Sequence, residues 1–596
     1  MSAPAYAQSD QAPQQVYDAR LMRRALAYLR PYRWQVVLGV LLLVTASLAG
    51  LAGPWLVKLG IDQGIEGGDP TRLLRLALLF ALLQLFEFGL GYWQTLIVAA
   101  LGQRFMFDLR VQLFAHIQRL PVAFFDRNPV GRLMTRLTGD VELLNEMFSS
   151  GLVAIIGDLL TLAVILGYLL LLNVRLALIT FALLPLLAVI TLYFRGRLRR
   201  NFRDVQQRVA AMNAFLQEHL TGIEVIQVYG QEARAAARFG ELNRSHTRAH
   251  LDSVFNFGLF FPLVEIVAVL SITLSLGFGG RWYAAGTGLS LGDLAAFILY
   301  ARRFFQPISD LSEKFNIMQA AMASSERIFR LLDTPAEAPV PAPAAAPARL
   351  AGEIRFEGVR FGYDPERPVL HDIDFRIAPG ERIALVGPTG GGKTSILGLL
   401  LRFYRPQAGR ILIDGTPLDA LPDAQLRTQV ALVQQEIVLF PGSIAENISL
   451  GNPTLSAEQV RDAARLVGAL AFIERLPAGL ATPLLVGGSG LSTGQKQLIA
   501  FARALAHDPA LLILDEATSA VDTETEALLQ RGLERLLAGR TSVVVAHRLS
   551  TIRSADRILV IQRGCIVETG DHAQLLAAGG LYARLHRLQY LGETGS

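Results

Sequence analysis

Up to about residue 310 the chain alternates long apolar stretches with long charged ones. Beyond residue 350 it alternates short apolar runs with amphipathic segments. The long apolar stretches cover roughly 34–57, 74–101, 147–172, 175–195, 254–280 and 286–306, and a helix of about 20 apolar residues suffices to cross a bilayer. The third and fourth are parted only by Asn173 and its neighbours, which predicts a tight helical hairpin. Long charged, helix-favouring segments separate the second from the third and the fourth from the fifth. They lack the Gly/Pro clusters of an inserted domain, so they predict helices that continue well beyond the membrane.

Basic residues orient these spans. Arg20, Arg23, Arg24, Arg30 and Arg33 flank the first. Arg104, Arg110, Arg119, Arg127, Arg132 and Arg136 crowd the first long connection, and Arg195, Arg197, Arg199, Arg200, Arg203 and Arg208 the second. The opposite loops hold only Lys58, Arg72, Arg75, Arg175 and Arg281. Positive residues stay on the cytoplasmic side, so the N-terminus and both long connections are expected there. Six spans return the chain to the same side.

Composition agrees with this picture. The chain is 52% hydrophobic and 18% charged, with a mean hydropathy of +0.37, too apolar for an ordinary soluble protein. A formal charge of +5 over 596 residues does not point to nucleic acid. The single cysteine, Cys565, excludes an intrachain disulfide and a cysteine-based metal cluster, and its setting in IQRGCIVETG predicts a small core residue between two strands. The first 20 residues, rich in Ala, Gln and Pro, read as a disordered tail. The first apolar stretch, lacking a small-residue cleavage site, reads as a retained signal-anchor. The tract TPAEAPVPAPAAAPAR, Thr334 to Arg349, reads as an extended linker. After it, runs such as RIALVG, TSILGLLLRF and ALLILD predict an α/β domain with a largely parallel sheet.

Chemistry enters at Gly387, Pro388, Thr389, Gly390, Gly391, Gly392, Lys393 and Thr394, a complete G-x-x-x-x-G-K-[ST] loop between an apolar strand and a helix that continues with Ser395. Glycines let backbone N–H groups wrap phosphates, and the helix N-terminus adds its positive end. Lys393 reaches the terminal phosphates, and the Thr394 hydroxyl is a ligand for Mg²⁺. Roughly 120 residues on, Leu511 to Leu514 form an apolar strand delivering Asp515 and Glu516 to its C-terminal edge. There Asp515 suits Mg²⁺ and Glu516 suits the attacking water.

Leu491, Ser492, Thr493, Gly494 and Gln495 then precede an amphipathic helix, a second anion-binding helix start. With this pentapeptide the chain resembles the ABC transporter family, whose signature is LSGGQ just ahead of the carboxylate-bearing strand. The other family motifs follow in order. The resemblance implies that Tyr363 stacks on adenine, that Gln435 contacts Mg²⁺ and faces the membrane domain, and that His547 touches the γ-phosphate. Ser519 to Asp522 match the family's D-loop. Ser492, Gly494 and Gln495 of one subunit would close on ATP held by the other. In the membrane half, Phe124–Leu144 and Gly222–Glu232 look like the two cytoplasmic coupling loops of ABC exporters.

The resemblance covers nearly the whole chain and implies four parts: an N-terminal cytoplasmic tail (1–33), a six-span α-helical transmembrane domain (34–320), a connecting helix end and linker (321–350), and an α/β ABC ATPase domain (351–590). The activity implied is ATP-driven export of amphipathic substrates, drugs, lipids or peptides, from a bacterial inner membrane. ATP and Mg²⁺ would be the cofactors and a second half-transporter the partner. Lipid flippase is an alternative within the family, and an ATP-gated channel or regulator, or a soluble ATPase of DNA repair or translation, alternatives of another class. The six spans exclude the soluble reading, and the importer arrangement, with separate chains, does not fit. Two departures matter. Thr493 stands where most members have glycine, which favours a heterodimer over a homodimer, and Val486 stands where many carry an acidic residue. Of the ionisable residues in the spans, Glu87, Asp158, Glu265, Arg302 and Arg303, a polar translocation cavity and helix–helix pairing are both open readings.

Overall fold

A computed structural model describes residues 18–286, 288–336, 349–364, 366–515, 523–546 and 549–590. The N-terminal tail up to residue 17 and most of the Pro/Ala tract lie outside these residues. The chain divides into two compact units, residues 1–119 with 129–335, and residues 120–128 with 336–596.

The first unit is helical: α1 (Ala19–Ala27), α2 (Arg33–Leu59), α3 (Pro70–Ile117), α4 (Val130–Leu172), α5 (Val174–Thr221), α6 (Glu232–Ala284) and α7 (Leu291–Leu332). At 1.5 Å per residue, the 48 residues of α3 extend about 72 Å and the 53 of α6 about 80 Å, far beyond the hydrocarbon thickness. Among the described residues, five helical segments are long and apolar enough to cross a membrane, the first running Arg30–Ile65 and the others being α3 to α6. The sixth span falls in α7. Asp293 in its first turn and Arg302 and Arg303 about three turns on add charge to it, so composition alone does not mark it. None of the most apolar window of α3 is buried. Leu82, Leu85 and Phe88 lie exposed there, as a surface facing lipid or another chain requires.

Local signals set the helix ends. Asn173 breaks α4 from α5 in an extended conformation (φ −161°, ψ 108°), and its side chain accepts from the Leu176 N–H. Ser290 and Asp293 form a reciprocal capping box at the start of α7. That start is tied to the end of α2, since Asp62 accepts from the Ser290 hydroxyl (2.9 Å) and the Gly292 N–H (2.8 Å), and Lys58 pairs with Asp293 (2.5 Å). The unit's core is built from α4 to α7 around Ile165, Leu169, Phe194, Phe260, Phe297 and Tyr300. Toward the other end, Asp140 of α4 is buried and takes three bonds from α7: Arg327 Nε (2.9 Å), Arg327 Nη2 (2.5 Å) and the Ser324 hydroxyl (3.0 Å). The ionisable span residues divide. Asp158 is paired with Lys314 of α7, whereas Glu265 and Arg302 are exposed.

In the second unit a six-stranded sheet runs β12–β11–β3–β10–β9–β6: Cys565–Gly570, Arg557–Gln562, Arg382–Val386, Thr541–Val545, Leu511–Asp515 and Val430–Val433. All neighbours are parallel except the edge pair β11–β12. The period-2 alternation of side chains builds two cores. Ala384, Leu512, Val544 and Val560 face one, whereas Ile383, Ile513, Val543 and Leu559 face the other. The second core is closed by an antiparallel sheet, β2–β1–β4–β5 (Leu370–Ile377, Ile354–Phe361, Ala408–Ile413, Thr416–Pro417), which the largely parallel expectation did not include. Cys565 is only partly buried, at the first position of edge strand β12, rather than a core residue.

Candidate active site: the phosphate-binding edge of the sheet

Because β3, β10, β9 and β6 are parallel, their C-terminal ends share one edge of the sheet. Val545 is in register with Leu385 on one side and Asp515 on the other. The loop from Gly387, the carboxylate of Asp515, and the segment carrying Gln435 after Val433 therefore leave the sheet on the same side. Gln435 is exposed. Glu516, His547 and the loop Ser519 to Asp522 lie outside the described residues. The strands that lead to Glu516 and His547, β9 and β10, both end on this edge.

The phosphate loop is held by close backbone approach. At Gly387 (φ +154°) a Cβ would lie 2.0 Å from the Ile561 carbonyl oxygen. Gly392 (φ +106°) is the N-cap of helix α8 (Lys393–Leu400), where a Cβ would meet Leu370 at 2.6 Å. Only glycine fits either place. The tight turn Arg563–Gly564 between β11 and β12 braces the loop from outside, with the Gly564 N–H donating to the Gly391 carbonyl at 3.0 Å. Pro388, Thr389 and Gly390 form the turn itself.

No side chain caps α8, so its first N–H groups are free to meet an anion. Lys393 is 7% exposed and donates to the carbonyls of Gly387 (2.8 Å) and Pro388 (3.0 Å). Burial pushes its ammonium below the ordinary lysine range, and the Asp515 carboxylate opposes that shift. Thr394 exposes its side chain in the first turn, and Ser395 is buried. A hydroxyl and one carboxylate beside a phosphate loop suit Mg²⁺, a hard cation that takes few protein ligands and keeps water and phosphate oxygens. Among the described residues no group of three or more His, Cys, Asp and Glu forms a separate metal cage.

Tyr363, 32 positions before Ser395, is brought to it: the two hydroxyls lie 3.1 Å apart. Its ring is 45% exposed and meets Tyr404 edge-on, with centroids 5.1 Å apart. Gln407 fixes the loop that carries it, accepting from the Gly362 N–H (2.8 Å) and donating to the Gly362 carbonyl (2.7 Å). The short helix Val122–Arg127 belongs to this unit. The Tyr404 hydroxyl bonds Asp126, and Arg127 donates to the Tyr363 carbonyl at 3.2 Å. Burial, and then Asp126, raise the Tyr404 phenol above its ordinary value. Tyr404, Gln407 and Gly564 were not picked out from the sequence. Their partners are distant, and the only local signal was an aromatic just past the end of a buried helix.

The pentapeptide at 491–495 is not part of this edge. Ser492 is the N-cap of α9 (Thr493–Ala506). Its hydroxyl accepts from the Gln495 N–H (3.2 Å), and the Gln495 side chain accepts from the Ser492 N–H (2.9 Å). The Ser492 hydroxyl keeps its proton to donate, Gly494 is buried, and Thr493 opens the helix. Among the described residues no hydrogen bond joins Ser492, Gly494 or Gln495 to the phosphate loop.

Family comparison accounts for both units. The family model of the ABC transporter transmembrane region matches residues 36–308, and the model described as ABC transporter matches residues 370–519. The chain is 38% identical to the uncharacterized ABC transporter ATP-binding protein YknV of Bacillus subtilis, covering 98% of this chain and 97% of that one. It is 39% identical to a fatty acid ABC transporter ATP-binding/permease protein of Mycobacterium tuberculosis, over 88% of this chain and 82% of that one. It is 38% identical to an ATP-dependent lipid A-core flippase of Chromobacterium violaceum, over 96% and 97%. The chain belongs to the ABC transporter family, as an integral membrane half-transporter of the exporter type whose nucleotide-binding ATPase domain is coupled to transport.

Proposed function

We propose that this chain exports lipids or other amphipathic molecules across a bacterial inner membrane, with its N-terminus and ATPase domain in the cytoplasm. The observation that carries this is the common sheet edge where Gly387–Thr394, Asp515 and the Gln435 segment emerge, in a chain whose other unit is built of membrane-length apolar helices. The fatty acid and lipid A-core names of two relatives favour a lipid-like substrate, and a flippase acting on a membrane lipid is the second reading.

In this reading Lys393 and the N–H groups of the loop Gly387–Ser395 bind the terminal phosphates of ATP, and Tyr363 stacks on its adenine. Thr394, Asp515 and Gln435 hold Mg²⁺, which neutralises charge on the phosphates. Glu516 orients and deprotonates the attacking water, and His547 donates to the γ-phosphate. The nucleotide is closed from the other side by Ser492, Gly494 and Gln495 of a second half-transporter. Thr493, which puts a β-branched side chain where glycine allows closest approach, favours a different chain as that partner.

The test is ATP-dependent accumulation of fluorescent lipid analogues and amphipathic dyes in inverted membrane vesicles. Glu516→Gln is expected to bind ATP as the parent does and to turn it over at least about a hundredfold more slowly, because an amide is no base. Parental turnover in that variant, or no ATP-dependent accumulation of any amphiphile by the parent, overturns the reading.

A further inference from the structure

Helix α2 contains Pro54, which has no N–H to give the Gly50 carbonyl four residues earlier. A freed carbonyl inside a membrane needs another donor. Arg303 of α7 supplies it, its Nη1 donating to Gly50 O at 2.6 Å, and the buried Tyr300 hydroxyl one turn before bonds the Leu51 carbonyl. Arg303 is thus held in place by the carbonyl that Pro54 leaves without a partner in α2.

Glu87 of α3 faces the same part of α2. A Cβ at Gly50 would lie 2.4 Å from Glu87 Oε1, so the absent side chain at Gly50 makes room for the carboxylate. Glu87 Oε2 is buried without a hydrogen-bond partner, and among the described residues Glu87 makes no ion pair. This separates it from Asp158, which Lys314 neutralises. Helix pairing accounts for Asp158 but not for a carboxylate that bonds no neighbouring helix. About 17 residues into α3 at 1.5 Å each, it sits roughly 25 Å from the start of that helix, where an unpaired charge is costly. It borders a cavity of about 790 Å³ shared with Gln84, Phe88, Gln94, Thr161 and Arg303, a volume in the range of small-molecule sites.

We propose that this cavity is a binding site for an amphipathic primary amine. The ammonium donates to Glu87 Oε2, the amide oxygen of Gln84 and the hydroxyl oxygen of Thr161 take its two remaining N–H groups, and the apolar tail lies along Phe88. An ammonium is inferred because Glu87 Oε2 is buried without a donor, whereas Arg303, the one cation among the described lining residues, is anchored through one of its N–H groups to Gly50 O. The carboxylate is the group left without a partner. The inference rests on the reading of the chain as an exporter of amphiphiles and names one substrate class for it.

The experiment uses the full chain, with its partner chain if one co-purifies, in lipid nanodiscs. Binding of dodecylammonium, dodecanol and dodecyl sulfate is measured and corrected for partition into empty discs. The parent is expected to bind dodecylammonium at least about tenfold more tightly than dodecanol, the size of one hydrogen bond to a charged group. Glu87→Gln should bring the two to within about twofold, and Glu87→Asp should keep part of the preference. Gly50→Ala, whose methyl would displace the carboxylate, should act like Glu87→Gln and serves if that variant does not fold. Equal binding of ammonium and alcohol by the parent, a preference that survives Glu87→Gln, or dodecyl sulfate binding as tightly as the ammonium would each overturn the site. The vesicle assay is read separately. Transport of other amphiphiles without the amine preference would refute this inference alone, and loss of all transport with the preference intact would refute the export reading alone.

Discussion

Gly387 has no room for a side chain, because the Ile561 carbonyl oxygen stands 2.0 Å from where a Cβ would be. Gly387→Ala is therefore expected to lower the stability of the ATPase unit by about 2–4 kcal/mol through backbone displacement, and to weaken ATP binding with it. Thermal unfolding and nucleotide titration of the purified protein check this, and a parental melting temperature would contradict the close approach. Lys393→Ala removes the loop's cation together with its bonds to the Gly387 and Pro388 carbonyls, so ATPase activity should fall by about a hundredfold or more. At this scale the sequence was most informative. Motif spacing pointed to Gly387–Thr394 and Asp515, and the family resemblance to Gln435; each ends or follows a strand whose apolar pattern is local. It was silent on Gln407 and Tyr404, whose roles depend on bonds to Gly362 and Asp126.

Helices α4 and α7 show what pattern reading leaves out between elements. Asp140 lies in a stretch read as a cytoplasmic coupling loop, yet it is 4% exposed and bonded to Arg327 and Ser324 of α7, 187 and 184 positions away. Asp140→Ala would remove the buried carboxylate that ties Arg327 and Ser324 of α7 to α4. A loss of about 1–3 kcal/mol is expected, read as a lower melting temperature for the membrane unit, whereas Glu241→Ala at the exposed pair Arg238–Glu241 should cost at most about 1 kcal/mol. Periodicity found the long helices, and Asn173 marked the hairpin as expected. The stretch expected as the sixth span lies in α7, which is not among the five helical segments apolar enough to cross a membrane. The antiparallel sheet was missed although Ile373–Ile377 of β2 alternates cleanly; the pairings of β1 with β2 and with β4 are interrupted by shifts of register.

Across the whole molecule, one chain presents one phosphate loop and one signature helix, and Ser492 and Gln495 cap their own helix rather than reaching that loop. Two chains are needed for a closed site in the proposed cycle. Expressed alone, the chain is expected to show weak ATPase activity that a co-expressed second half-transporter raises about tenfold or more. A stable homodimer with full, substrate-stimulated activity would overturn the heterodimer reading. The strand order carries a further consequence, one of timing. Strand β3 holds the phosphate loop, but its neighbours β10 and β11 come near the end of the ATPase unit, and Gly564 beside the loop comes later still. Roughly 170 residues must be added after Val386 before Arg557 emerges, which at about 5–20 residues per second takes on the order of 10–30 s of synthesis. Through that interval the nascent chain carries an apolar strand without its lateral partners and a glycine loop without its brace. The ribosome thus finishes the membrane helices and the loop long before the polypeptide has the parts that make the loop rigid.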